Sequence, residues 1–187
     1  LKVSKEMDAV YVSPFDDPLL WKGHSTIIDE CARQIEQPDK IIVSVGGGGL
    51  LCGIFEGMKR NGWVRTQVIT TETIGAASFY ESYQAKKIVE LKEISSIATS
   101  LGAKKVTEES LELAYDFDVR PFVMSDEEAI NASYNFLNEY NVMVEPACGA
   151  AISVPYFHSE LIRENDKVLV IVCGGVNTQI KTLPNKT

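Results

Sequence analysis

The sequence predicts an α/β fold: a mostly parallel, twisted sheet with helices on both faces, built as one unit across residues 1–187. Three observations carry this expectation. Short runs rich in β-branched residues alternate with stretches of helical spacing along the chain. The run "KVLVIVCGG" (167–175) is strongly apolar, as a strand covered on both faces must be. The run "KIIVSV" (40–45) leads through four glycines directly into a helical pattern.

Taken in order, "AVYVS" (9–13) reads as a strand, and "PFDDPLLWKG" as a turn-rich loop leading into a helix over about 25–37. "KIIVSV" is a short buried strand. "LLCGIFEGMKR" (50–60) sets Leu50, Leu51, Ile54 and Met58 on related faces of a helix. "QVITTE" (67–72) is a strand, followed by a helix around 76–85 and a less regular stretch over 86–105. "DVRPFVMS" (118–125) is a strand running into an N-cap, because Ser125 and Glu128 have the spacing of a capping box for the helix "EEAINASYNFLNEY". A further helix covers 145–161, with Pro155 as a kink or stop. "KVLVIVCGG" is the last strand, and "NTQIKTLPNKT" ends the chain.

Composition narrows the function classes. The chain has a 45% hydrophobic fraction, 24% charged residues and a formal net charge of −8, ordinary for one globular unit. An acidic chain without a Lys/Arg cluster argues against a nucleic-acid partner. No apolar run reaches the length of a membrane span, so no membrane partner is expected. "LKVSKEMDAV" has no apolar core of a signal peptide, and its lack of an initiator Met suggests a start inside a longer gene product. Cysteines at 31, 52, 148 and 173 form no C-x-x-C, and His24 and His158 stand far apart. A zinc site is therefore not expected. All four thiols sit among apolar neighbours in sequence, as buried reduced cysteines do, which suits the cytoplasm.

The stretch "VSVGGGGLLCGI" (43–54) holds the strongest local signal. Each glycine in a regular element costs roughly 0.5–1 kcal/mol relative to alanine, so four in a row need a compensating use. Strand, glycine loop and helix together present backbone N–H groups and a helix N-terminus to an anion such as phosphate. A tight turn is the plainer alternative, though one or two glycines would serve it. No Lys-Ser/Thr pair follows, so the loop is not a P-loop, and the spacing is not G-x-G-x-x-G. In parallel sheets ligands bind beyond the carboxyl ends of the strands. Three loops lie there: 46–49, 72–78 and 173–177.

The motifs "YVSPFDDPLLWKGH", "SVGGGGLLCG", "TETIGAASF", "VEPACGAA" and "VIVCGGVN" together resemble the pyridoxal-phosphate-dependent L-serine dehydratases, that is, the serine/threonine ammonia-lyases of fold type II, and the eukaryotic branch in particular. The resemblance covers nearly the whole chain. It implies the large-domain portion of such an enzyme, without its inserted small domain and without the N-terminal segment carrying the Schiff-base Lys. Lys22, Lys40, Lys59 and Lys86 lie in contexts that do not match that segment. No catalytic residue is therefore assigned within the chain, which alone would be inactive.

Further roles follow from the resemblance. Gly46, Gly47, Gly48 and Gly49 would bind the cofactor phosphate through backbone amides. Cys173 would face the pyridine nitrogen; its alternative is a buried strand-end thiol. As a far weaker acid than a carboxyl group, a thiol would leave that nitrogen unprotonated. Ser100 would stack against the ring, where some relatives have alanine. Glu72 would hold a monovalent cation such as potassium, with oxygens from Gly46, Ala76, Ser78, Leu101 and Ala103. Its alternative is a charge that favours a helix N-terminus. Asn177 matches no family residue and reads as a helix cap or a hydrogen-bonding group near the cofactor. Glu145, Asp16 and Asp17 read as caps or loop groups, and His24 as structural.

The implied reaction is β-elimination from L-serine to pyruvate and ammonia, with L-threonine giving 2-oxobutanoate. The implied assembly is a homodimer, or association with the missing N-terminal portion. Two other readings stay open: another fold type II enzyme such as a serine racemase or threonine synthase, or a non-enzymatic phosphate-binding or partner chain.

Overall fold

In the computed structural model, which describes residues 9–178, four strands form one wholly parallel sheet: β1 (Lys40–Ser44), β2 (Gln67–Thr73), β3 (Val119–Met124) and β4 (Val168–Val170). Six α-helices accompany them among these residues: α1 (Pro18–Ala32), α2 (Gly49–Arg60), α3 (Ser78–Ala85), α4 (Glu108–Ala114), α5 (Asp126–Tyr140) and α6 (Pro146–Phe157). Expectations placed on residues 1–8, and on the chain end from 179, lie outside the described residues. Among the described residues no helix is long and apolar enough to cross a membrane.

The sheet order is β3-β2-β1-β4. The chain builds outward from β1 through β2 to β3, then returns to the other side of β1 with β4. The direction of winding therefore reverses between β1 and β4. In open α/β sheets that reversal opens a crevice at the carboxyl ends of the strands. Alternation along β1 divides the core: Ile41 and Val43 pack with Trp21, Ile28, Leu51 and Phe55 of α1 and α2. Ile42 faces the other way onto Ala151 and Val154 of α6. Helices on both faces match the expected α/β class.

Several expected elements shift. The run 9–13 forms no strand; both sheet edges belong to β3 and β4, so it has no partner, and Val10 is 91% exposed. The helix expected from 25 starts at Pro18, because Asp17 accepts the Leu19 N–H (2.8 Å) and Pro18 takes the first helical position. It ends at Ala32 rather than 37. Strand β4 is only three residues long. The Ile171 N–H still donates to the Ile42 carbonyl, after which Gly174, at φ +144, turns the chain away. The short helix α4 was not expected, although Thr107 caps it by accepting the Ser110 N–H. The capping box at Ser125 is present in full.

Candidate cofactor site

The four glycines leave β1 at the winding reversal and enter α2. Each has a protein neighbour where a side chain would stand. A Cβ on Gly46 would lie 2.6 Å from the Ser100 carbonyl oxygen, one on Gly47 would run into the Phe15 ring, and one on Gly49 would lie 2.5 Å from the Phe15 carbonyl oxygen. Gly48 has φ +95 and its Cβ would stand 2.6 Å from Ser110 Oγ. Close packing thus uses all four positions, which spacing in sequence does not reveal. The same packing leaves the loop amides unspent. Among the described residues the N–H groups of Gly46, Gly47, Gly48 and Gly49 have no protein acceptor, and Gly46 and Gly47 reach the surface. Unpaired amides at a helix start are the donor set an anion needs, so the loop fits a phosphate group.

Ser100 stands beside this loop. Its hydroxyl accepts a hydrogen bond from Asn177 Nδ2 (3.0 Å), and the Asn177 N–H donates to Glu145 Oε2 (3.1 Å). These three residues, with Ala98, Thr99 and Ala147, line a cleft of about 250 Å³. Asn177 therefore lines the cleft. Glu145 occupies the N-cap position of α6, but its side chain makes no capping bond; the carboxylate takes the Asn177 amide instead. That corrects the capping role expected for it.

Cys173 lies where the chain leaves β4, with its Sγ 3.5 Å from Ser44 Oγ at the end of β1. The strand order alone brings these two together, 129 residues apart in sequence. Cys173 is exposed and Cys31 half-buried, so the expectation of four buried thiols fails for both. The neighbouring Cys148 thiol, with help from the Ser44 hydroxyl, holds the Cys173 thiol below its ordinary range. Cys148 is pushed up by the same pairing and by burial. Neither Ser44 nor Cys148 carries a signal in sequence that would mark it as a neighbour of Cys173.

Some of the residues expected to ligate a cation are neighbours in the fold. Gly46 abuts Leu101, Leu101 and Ala76 share one core cluster, and Ala103 donates its N–H back to the Leu101 carbonyl. Glu72 is 1% exposed, and its two carboxylate oxygens accept the Phe79 and Tyr80 N–H groups at the start of α3 (2.8 and 2.7 Å). These two bonds place Glu72 at the helix start, the plainer of its two expected roles. Burial nonetheless pushes its carboxyl up to about 8. The hydroxyl of Ser78 is buried without a hydrogen-bond partner. A buried carboxyl and an orphaned hydroxyl fit a hard monovalent cation held by oxygens, which would favour the charged form. Among the described residues no three His, Cys, Asp or Glu side chains cluster as metal ligands, so such a site would rest on one carboxylate and neutral oxygens.

The remaining candidates are structural. Asp17 caps α1, and the Asp16 N–H donates to Ser13 Oγ. The His24 Cβ fills the space above Gly53 in the α1–α2 contact. Lys40 pairs with Asp166 and Lys59 with Asp116; Lys86 ends α3, and Lys22 sits on the exposed side of α1. None of these lysines lines the cleft.

Comparison with known proteins agrees with this geometry. Residues 1–174 match the family model described as pyridoxal-phosphate dependent enzyme. The chain is 41% identical over 183 residues to an L-serine dehydratase of Dictyostelium discoideum, covering 92% of this chain and 52% of that protein. It is 42% identical to the L-serine dehydratase/L-threonine deaminase of Homo sapiens, covering 93% and 56%. The chain thus spans about half the length of the curated relatives it matches. Among solved structures, it superposes on a fungal L-serine ammonia-lyase from Rhizomucor miehei with a TM-score of 0.90 at 37% identity, over 94% of this chain and 58% of that one. A maize serine racemase shares the fold at a TM-score of 0.85 and 24% identity, over 97% and 56%.

Proposed function

The chain belongs to the pyridoxal-phosphate dependent enzymes, and on that premise we propose that it forms the cofactor-binding part of an ammonia-lyase acting on L-serine and L-threonine. One observation carries this reading. The glycine loop, Ser100 with Asn177, and Cys173 with Ser44 all meet at the reversal between β1 and β4. Similarity to relatives named as serine dehydratases supports the choice of reaction.

Pyridoxal phosphate, when bound, supplies the electron sink that lets serine lose its α-proton and β-hydroxyl, giving pyruvate and ammonia. The residues of this chain orient and tune. The amides of Gly46 to Gly49 and the start of α2 hold the phosphate. Ser100, fixed by Asn177, gives one ring face a small polar contact. Cys173, bonded to Ser44 and next to Cys148, sets the proton balance at the ring nitrogen. Glu72 and the Ser78 hydroxyl, with carbonyls of Gly46, Ala76, Leu101 and Ala103, would hold a potassium ion, which would offset the buried Glu72 charge. The lysine that bonds the cofactor comes from polypeptide outside residues 1–187. The working assembly is a homodimer in the cytoplasm.

The test is an assay, with pyridoxal phosphate and potassium, of the protein purified together with the polypeptide that carries the lysine. Pyruvate and ammonia in equal amounts from L-serine, and 2-oxobutanoate from L-threonine, are the expected products. D-serine without pyruvate would overturn the lyase reading in favour of a racemase.

A further inference from the structure

We infer that Asp126 is a positioning residue: it holds the 95–101 loop in the shape that presents Ser100 to the cleft. Asp126 is the first residue of α5, shortly after β3, and the capping box of Ser125 and Glu128 locks the start of that helix. Parallel pairing sets β3 beside β2, with Met124 opposite Thr73. The carboxylate is therefore held at the strand ends, next to the loop. One oxygen accepts the Ser96 hydroxyl (Oδ1, 2.6 Å) and the other the Ile97 N–H (Oδ2, 3.0 Å). Ser96 Oγ lies 2.7 Å from Thr73 Oγ1 and accepts the Ala98 N–H (3.0 Å). A serine hydroxyl has one proton. Since that proton goes to Asp126, the Thr73 hydroxyl donates to Ser96. One carboxylate thus orders the end of β2 together with Ser96, Ile97 and Ala98.

Between α3 and α4 the regular structure is one short 3-10 turn, Thr99–Leu101. The Thr99 N–H donates to the Ile97 carbonyl and the Leu101 N–H to the Ala98 carbonyl. The turn that carries Ser100 is therefore built directly on the residues that Asp126 fixes. Ala98, Thr99 and Ser100 line the cleft, while Asp126 stands outside its lining and acts through the loop. Two acceptor oxygens on two donors are what a carboxylate provides. A carboxamide has one, so Asp126→Asn leaves one donor facing an NH2 group. The consequence for the cofactor rests on the proposed function: a loosened loop weakens the ring contact of Ser100. It leaves in place the phosphate donors Gly47, Gly48 and Gly49, which pack on Phe15 and Ser110 instead.

Asp126→Asn is compared with wild type and with Glu127→Gln, which removes a charge from the same helical turn at an exposed position. Hydrogen exchange, read by mass on peptides covering 95–101, reports the hold itself. Exchange there should quicken about tenfold in Asp126→Asn, while its β2 peptides and the whole of Glu127→Gln match wild type. Titration with pyridoxal phosphate and with pyridoxal, followed by tryptophan fluorescence, reports the consequence. Both compounds should bind Asp126→Asn about tenfold more weakly, with the ratio of their affinities unchanged. Ser96→Ala should reproduce this, and the double variant should lose no more than the weaker-binding single one. Unchanged exchange at 95–101 would overturn the proposal, as would unchanged affinity, an equal effect of Glu127→Gln, or an acceleration shared by β2, the mark of global destabilisation. Wild type that binds neither compound would count against the cofactor reading instead, and the exchange comparison would still judge Asp126.

Discussion

Gly48 and Gly23 show how differently one residue type behaves in this chain. Gly48 has φ +95 and meets Ser110, so Gly48→Ala adds backbone strain to a clash and should cost about 2 kcal/mol or more. Gly23 lies inside α1 with open space around it. Gly23→Ala should therefore stabilise the protein, by about 0.5–1 kcal/mol. Urea midpoints of the two variants check both signs. Glu72 supplies a second residue-scale prediction. Its buried carboxyl is pushed up to about 8, and a bound cation would favour the charged form. Potassium chloride should raise the melting temperature of the wild type above that in tetramethylammonium chloride at equal ionic strength. Glu72→Gln should abolish the difference. A wild type indifferent to potassium would remove the cation from the account.

Among the elements, α5 was the most legible in sequence, because its start signal is local. Ser125 and Glu128 sit three residues apart and make both bonds of the capping box. Burial pushes the Glu128 carboxyl up, but the bonds from Ser125 and the neighbouring His158 outweigh it, and the net shift is downward from 4.5. A carboxyl lowered in the folded state stabilises above its unfolded value and loses that contribution as pH falls through the folded one. Glu128→Gln should thus lower stability at pH 7, and the gap to wild type should close below pH 4.5. Guanidinium melts at pH 7 and pH 3 measure it; an equal gap at both would refute the assignment. The elements misread in sequence depended on distant partners. The run 9–13 has strand composition but no neighbouring strand. "KVLVIVCGG" is apolar throughout, yet it pairs only over Val168–Val170, since β1 ends at Ser44 and Gly174 then redirects the chain.

For the molecule as a whole, the strand order decides where the site forms. The glycine loop was readable from four adjacent letters, and its position at a strand end followed from the β-then-α pattern. That Cys173 would stand against Ser44 was not readable, because it depends on β4 joining the sheet beside β1 rather than beyond β3. The packing of Phe15 and Ser110 against the glycines was hidden for the same reason: those contacts span the fold and leave no local pattern. Close packing explains why four glycines are present, while the unpaired amides explain what the loop is for.

The central claim is that these amides hold the cofactor by its phosphate. It is tested most directly by titrating the purified protein with pyridoxal phosphate and with pyridoxal, following the fluorescence of Trp21 and Trp63. Charge-assisted hydrogen bonds contribute about 1.5–3 kcal/mol each, so pyridoxal phosphate should bind at least about a hundredfold more tightly. Equal affinity for the two compounds would contradict the assignment of the glycine loop.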